Sequence, residues 1–163
     1  MAQSSEEMLF DAFEEARAGL LGVEGSSQHM QPMSGHLDRE ARQVWFITSR
    51  KTDLVSAVGQ GATAHFTLQN PGNMFYASLK GPIVQVADQA KLDALWSPMS
   101  AAWFRQGKED PDIILLRLDL LEAAMWETTD STALFGWELL KANVTGEQPD
   151  IGSHTVLNFA KAA

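Results

Sequence analysis

ATAHFTLQNPGNMFYASLKGPIVQVAD, residues 62–88, decides the fold class. Apolar and polar residues alternate on both sides of Asn70-Pro71-Gly72-Asn73, a run in which each residue type favours a turn. Residues 62–69 and 74–88 are therefore read as two strands folded back antiparallel. Gly81-Pro82 interrupts the second strand; proline has no N–H for a ladder and glycine marks a bulge, so a bend is expected there.

Upstream, VWFITSRKTDLVSAVG (44–59) begins as an alternating strand and stops at Thr48-Ser49-Arg50-Lys51. A short helix from about Thr52 to Val58 follows, ended by Gly59 and Gly61. Earlier, Met8, Leu9, Ala12, Phe13 and Ala16 recur at helical spacing after an expected N-cap at Ser5. Residues 18–23 and 28–37 read as strands, with Pro32 placing the latter at a sheet edge or bulge. Downstream, QAKLDALW and MSAAWFRQG are helical, and KEDPD (108–112) is a turn before a half-buried strand in which Leu116, Leu118 and Leu120 alternate with Arg117 and Asp119. ALFGWELLKANVTG closes as a helix, and the tail from about 147 is expected to be irregular. Turn-connected strands without βαβ alternation predict a mainly β protein, an antiparallel sheet or small barrel with peripheral helices.

The 163 residues suit one globular domain, 1–163. Twelve Lys and Arg against 21 Asp and Glu give a net charge of −9, which disfavours nucleic acid as a partner. No apolar run is long enough for a membrane span, and the acidic N-terminus is unlike a signal or transit peptide, so a cytoplasmic location is expected. With no cysteine, thiolate chemistry and Cys-based metal sites are excluded.

GQGATA (59–64) has the spacing of a dinucleotide fingerprint, yet it follows a helix and opens a strand, the reverse of what pyrophosphate binding needs. His29, His36, His65 and His154 show no metal-ligand spacing, so no metal site is expected. KEDPD is read as a turn rather than a catalytic pair, and no G-x-S-x-G is present. Two readings fit Thr48-Ser49-Arg50-Lys51. Hydroxyls and two cations before a helix N-terminus suit a phosphate monoester; a solvated loop with two surface cations fits as well, and Asp53 in the first helical turn counts against an anion. Trp96 and Trp103 flank the break at Pro98, where a planar ring system would find a surface.

QPMSGH, VWFITSRKT and the run SLKGPIVQVADQAKLDALWSPMSAAWFRQGKEDPDIILLRLDLLEAAMWE together resemble the pyridoxamine 5′-phosphate oxidase-like flavoproteins, in their bacterial general stress protein branch. The resemblance spans roughly residues 8 to 158 and implies a six-stranded antiparallel split β-barrel, a homodimer, and FMN bound between the two subunits. It implies ring contacts from Gln31, Pro32, Met33, Phe46, Ile47 and Thr48, phosphate contacts from Ser49, Arg50, Lys51 and Thr52, and a further contact from Trp103. Two positions depart from the family pattern: Gln31 stands where arginine is common and Leu54 where lysine is common. A charge-assisted contact contributes on the order of 1.5–3 kcal/mol, so two losses weaken FMN binding by about a hundredfold or more unless Arg50 and Lys51 compensate. An FMN-dependent oxidoreductase and a non-catalytic split-barrel binding module with weakened or altered flavin binding both follow; no residue identifies itself as an acid or base.

Overall fold

The computed structural model describes residues 2–70, 72, 74–128 and 131–159. The decisive hairpin is β5 (Ala62–Asn70) with β6 (Phe75–Val86), antiparallel from Ala62↔Ile83 to Asn70↔Phe75. Pro71 and Asn73 of the expected turn lie outside the described residues. Ala64, Phe66 and Leu68 point to one buried face, as do Phe75, Ala77, Leu79 and Ile83, which is the period-two pattern visible in the sequence. The expected bend at Gly81-Pro82 takes another form. Pairing with β5 runs straight through it, while the partner on the opposite edge changes from β8 (Glu122–Thr128) to β7 (Ile113–Asp119). A Cβ at Gly81 would run into the Asp119 carbonyl, so only glycine lets the β7–β8 connection cross so close.

The other strands are β1 (Gly19–Val23), β2 (Gln31–Met33), β3 (His36–Asp38), β4 (Gln43–Ser49) and β9 (Gly152–Asn158). Their order is β2-β1-β5-β6-β7-β4-β3, and the two outer strands of this path are separated in sequence only by Ser34 and Gly35. The sheet thus curls on itself as a split barrel, with nine strands among the described residues rather than the expected six. The single strand expected over 28–37 is two, residues 113–128 form β7 and β8, and the tail expected to be irregular contains β9, fully paired with β8 from Glu122↔Asn158 to Thr128↔Gly152.

The curled sheet encloses a core of Phe46, Phe66, Leu21, Val44, Leu79, Leu116 and Leu118. Helix α1 (Ser5–Ala16) closes it with Leu9, Phe10 and Phe13. Its N-cap is Ser4, not the expected Ser5, because Ser4 and Glu7 form the reciprocal capping box. The acidic face of α1 is tied to the β3–β4 turn by Arg39, paired with Asp11 and Glu14, and by Arg42, paired with Glu6. Helices α3 (Gln89–Leu95) and α4 (Pro98–Trp103) follow β6, and a second apolar cluster of Trp45, Leu92, Ile113 and Leu115, with Ile47, Trp96 and Phe104, covers the outer face of β4 and β7. Helix α5 (Thr132–Thr145) joins β8 to β9. No helix among the described residues is long and apolar enough to cross a membrane.

Candidate functional site

The site begins where two strands part. β3 pairs with β4 from Asp38↔Gln43 to His36↔Trp45, and there the ladder stops. Carried on, that register would set Met33 opposite Thr48; instead the chain turns at Ser34-Gly35 and β2 pairs with β1. A Cβ on Gly35 would stand 2.8 Å from Phe13 Cζ and 2.9 Å from Val44 Cγ1, so the turning point is pressed against the core and needs glycine. Beyond Trp45, β4 keeps β7 on one edge, from Phe46↔Leu116 to Ser49↔Ile113, and among the described residues has no strand on the other. A short length of main chain is left facing a gap, and backbone amides and carbonyls seek hydrogen-bonding partners.

The side chains of this segment face elsewhere. Phe46 lies inside the core, edge-on to Phe66 with ring centroids 5.1 Å apart. Thr48 is buried at 7% exposure, and Ile47 packs outward into the cluster beneath α3 and α4. Phe46 therefore has only its main chain to offer a ligand in the gap. Across the gap, the Gln31 amide is engaged locally, accepting from Gln28 Nε2 at 3.3 Å and donating to Met33 Sδ at 3.6 Å. Met33 packs on the core, while Pro32, opposite Leu20 of β1, lines an open groove on the outer sheet face.

After β4 the chain makes the cationic turn and enters α2 (Asp53–Val58). Thr52 caps α2: its hydroxyl accepts from Val55 N at 3.2 Å and donates to Ser49 O at 3.0 Å. The Lys51 amide donates to Ser49 Oγ at 3.3 Å. Arg50 N donates to Asp112 O at 2.7 Å, and Arg50 Nε to Pro111 O at 3.3 Å. Lys51 Nζ pairs with Asp112 Oδ2 at 2.9 Å, and that carboxylate holds the Lys51 ammonium above its ordinary pKa. Among the described residues Arg50 makes no ion pair, which leaves it as the available cation of the turn. Leu54, the position of the expected missing lysine, is 0% exposed and belongs to the core.

The structure thus gathers Ser49, Arg50, Lys51 and Thr52 into one turn at the end of the open edge of Phe46, Ile47 and Thr48, with Gln31, Pro32 and Met33 on the strand that diverges from it. Ser34 Oγ to Met99 Sδ, at 3.9 Å, brings α4 to the start of β3, but Trp103 at the end of α4 is 80% exposed. Asp112 was missed by the sequence reading. KEDPD, expected to be a turn, begins in a single 3-10 turn of helix (Gly107–Glu109) and turns only at its end; β7 lies beside β4, so the residue before β7 lands on the residues after β4. Trp45 was likewise not singled out. Its buried Nε1 has no hydrogen-bond partner among the described residues, with Lys91 Nζ 4.7 Å from the ring centroid and Arg117 Cζ 5.9 Å. No group of three or more potential metal ligands occurs among the described residues.

Residues 4–150 match the model of the family described as pyridoxamine 5′-phosphate oxidase like. A general stress protein 26 candidate from Jannaschia sp. CCS1 is 34% identical, over 93% of this chain and 96% of that one, with a TM-score of 0.73. A general stress family candidate from Xanthomonas campestris pv. campestris is 32% identical, over 80% and 93%, with a TM-score of 0.71. The general stress FMN/FAD binding protein of Xanthomonas citri is 32% identical, over 78% and 90%, with a TM-score of 0.70. No curated protein matches the chain. From the barrel, the parted strands and these matches together, the chain belongs to the pyridoxamine 5′-phosphate oxidase-like family, in its general stress protein type.

Proposed function

We propose that this chain is a cytoplasmic, homodimeric flavoprotein that binds FMN in the gap between β2 and β4. The observation that carries the reading is the open main-chain edge from Phe46 to Ser49, which lies beside a diverging strand and runs into a cationic turn. Main-chain groups of Ile47 and Thr48 suit the polar edge of an isoalloxazine, and Pro32 and Met33 bound the ring from the facing strand. Ser49 and Arg50 meet the phosphate, with Arg50 supplying the charge that is not already paired, and Thr52 holds the turn by donating to Ser49 O. Lys51 adds to it only against the pull of Asp112. Trp103, exposed on α4, is free to close over the ring. The likeness to the FMN/FAD binding protein of X. citri supports the same assignment.

Bound FMN would supply redox chemistry, making the protein an FMN-dependent oxidoreductase. The chain's part is to hold and orient the ring, and to neutralise the phosphate. A second reading, a binding module with weakened or altered flavin affinity, is favoured by one feature. The Lys51–Asp112 pair leaves the phosphate less positive charge than the sequence count suggests.

The test is the visible absorption spectrum of the purified protein before and after FMN addition and desalting, repeated with riboflavin. Retention of about one FMN per chain, lost in Arg50→Ala/Lys51→Ala while the circular dichroism is unchanged, is the expected result. A chain that releases all added FMN overturns the tight-binding reading and leaves the second one. Unchanged FMN affinity in the double variant overturns the phosphate assignment.

A further inference from the structure

The chain has seven methionines and no cysteine, so thioethers are the whole of its sulfur chemistry. Their placement differs widely. Met125 is 1% exposed in the core, Met30 and Met74 are 41 and 39% exposed, and Met99 of α4, at 62%, is the most exposed of the described methionines. Ser34 Oγ donates to Met99 Sδ at 3.9 Å, and among the described residues this is the one hydrogen bond that joins α4 to a part of the chain beyond residues 97–104. No side chain of α4 is buried, so the helix is otherwise held by its flanks, where Trp96 and Phe104 pack on the second apolar cluster. A thioether is a weak acceptor, and the tie is correspondingly weak. Met99 and Trp103 are four residues apart and share one side of α4, the side that the Ser34 contact turns toward the point where β2 leaves β4.

We propose that Met99 is an oxidation site for peroxides, and that its sulfoxide latches α4 to the Ser34-Gly35 turn. A lone pair of Sδ attacks one peroxide oxygen, so that the S–O bond forms as the O–O bond breaks. The sulfur gives up two electrons; the second oxygen takes them, collects the proton and, from hydrogen peroxide, leaves as water. The step needs no acid or base from the chain. Its product replaces a weak acceptor by a strongly polar S–O group. Oxygen added on the side of Ser34 comes within ordinary O–H···O reach of that hydroxyl, about 2.7 Å, which the bare sulfur at 3.9 Å does not offer. Oxidation here therefore tightens a contact instead of breaking one, and a sulfoxide reductase would undo it. The oxidation and the latch are independent of any cofactor. The consequence for a ligand rests on the flavin reading above: a latched α4 keeps the Trp103 side toward the gap and slows release of a bound ring.

Titration of the full chain with hydrogen peroxide tests the proposal, with peptide mass spectrometry locating each added oxygen and amide hydrogen exchange following residues 98–104. Met99 is expected to gain oxygen first, ahead of Met30 and Met74, with Met125 last. Exchange in α4 should then slow by about two- to tenfold, the change that one hydrogen bond of ordinary net strength produces, and a sulfoxide reductase should return it. Ser34→Ala, at an exposed position, should be oxidised at Met99 just as fast but without the slowing. Met99→Leu should keep the exchange of the unoxidised chain. Oxidation of Met99 no faster than of Met30 and Met74 overturns the site. Exchange that is unchanged or faster in the oxidised wild type, or equally slowed in Ser34→Ala, overturns the latch. With FMN added, release should be slower after oxidation; a chain that latches yet never retains FMN refutes the flavin reading alone.

Discussion

Asp112→Asn is expected to tighten FMN binding, and the structure sets how much. Asp112 Oδ2 lies 2.9 Å from Lys51 Nζ, so a phosphate oxygen meeting the same ammonium sits within about 6 Å of that carboxylate. In water, unit charges at about 6 Å interact by about 0.7 kcal/mol, and a phosphate monoester carries up to about two charges near neutral pH. Ions at about 0.15 M reduce this by about half. Removing the carboxylate should therefore tighten FMN about threefold at that ionic strength, and about sevenfold at about 0.01 M. The main-chain bonds of the turn, Arg50 N to Asp112 O and Asp112 N to Asp110 Oδ1, do not involve the altered group, so thermal stability should stay near wild type. Flavin fluorescence titrations at both ionic strengths measure the effect, with riboflavin as the phosphate-free control. An FMN affinity that is unchanged or weaker, or an equal change for riboflavin, refutes the placement of the phosphate on this turn.

Gly35→Ala forces a methyl group against Phe13, Val44 and Phe46 and should cost about 1–3 kcal/mol in a urea titration; a loss below about 0.5 kcal/mol would show that the turning point is not pressed on the core. Thr52→Ala removes the cap of α2 and its bond to Ser49, with an expected loss of about 1 kcal/mol. Burial pushes the His36 imidazole below its ordinary pKa. The unfolded chain then takes up the proton first, so stability should fall as the pH drops below about 6.5 and level off once the folded-state pKa is passed. His36→Gln should flatten that part of the curve, and an unchanged slope in urea midpoints against pH would refute the assignment to His36.

Much of the barrel was legible because its strands are half-buried. In 62–88 and 116–120 one face meets the core and the other is more open, and alternation records the difference directly. Where that contrast fades, so did the reading. β9 is largely exposed, and of its SHTVLN only Thr155 and Leu157 are half-buried, with Leu157 alone packed on the core, too little contrast to mark a period. The break between β2 and β3 is signalled only by Ser34-Gly35, a pair that looks like any flexible connector until Phe13 and Val44 are seen against it. The helix start was displaced by one residue because Ser4 and Ser5 are equivalent as types, and only the reciprocal bond with Glu7 distinguishes them.

The site was legible as a turn and illegible as a charge balance, for a reason that lies in the register. Thr48-Ser49-Arg50-Lys51 is local, and its residues stay together in any fold that keeps the strand and the helix. What faces it is not local. Ser49↔Ile113 joins positions far apart in the chain, and this one pairing delivers Asp112 to Lys51 and the Pro111 carbonyl to Arg50. Counting cations along the sequence gives the turn two, but adding the residue that register brings leaves only Arg50 of the turn without an ionic partner among the described residues. Leu54 shows the same effect in reverse. Read in sequence it is a lost lysine; in the fold it is a core residue at 0% exposure, where a lysine would bury a charge. Restoring the family residue by Leu54→Lys should therefore lower stability by several kcal/mol rather than repair the site, and a urea titration that shows tighter FMN binding at unchanged stability would refute that account.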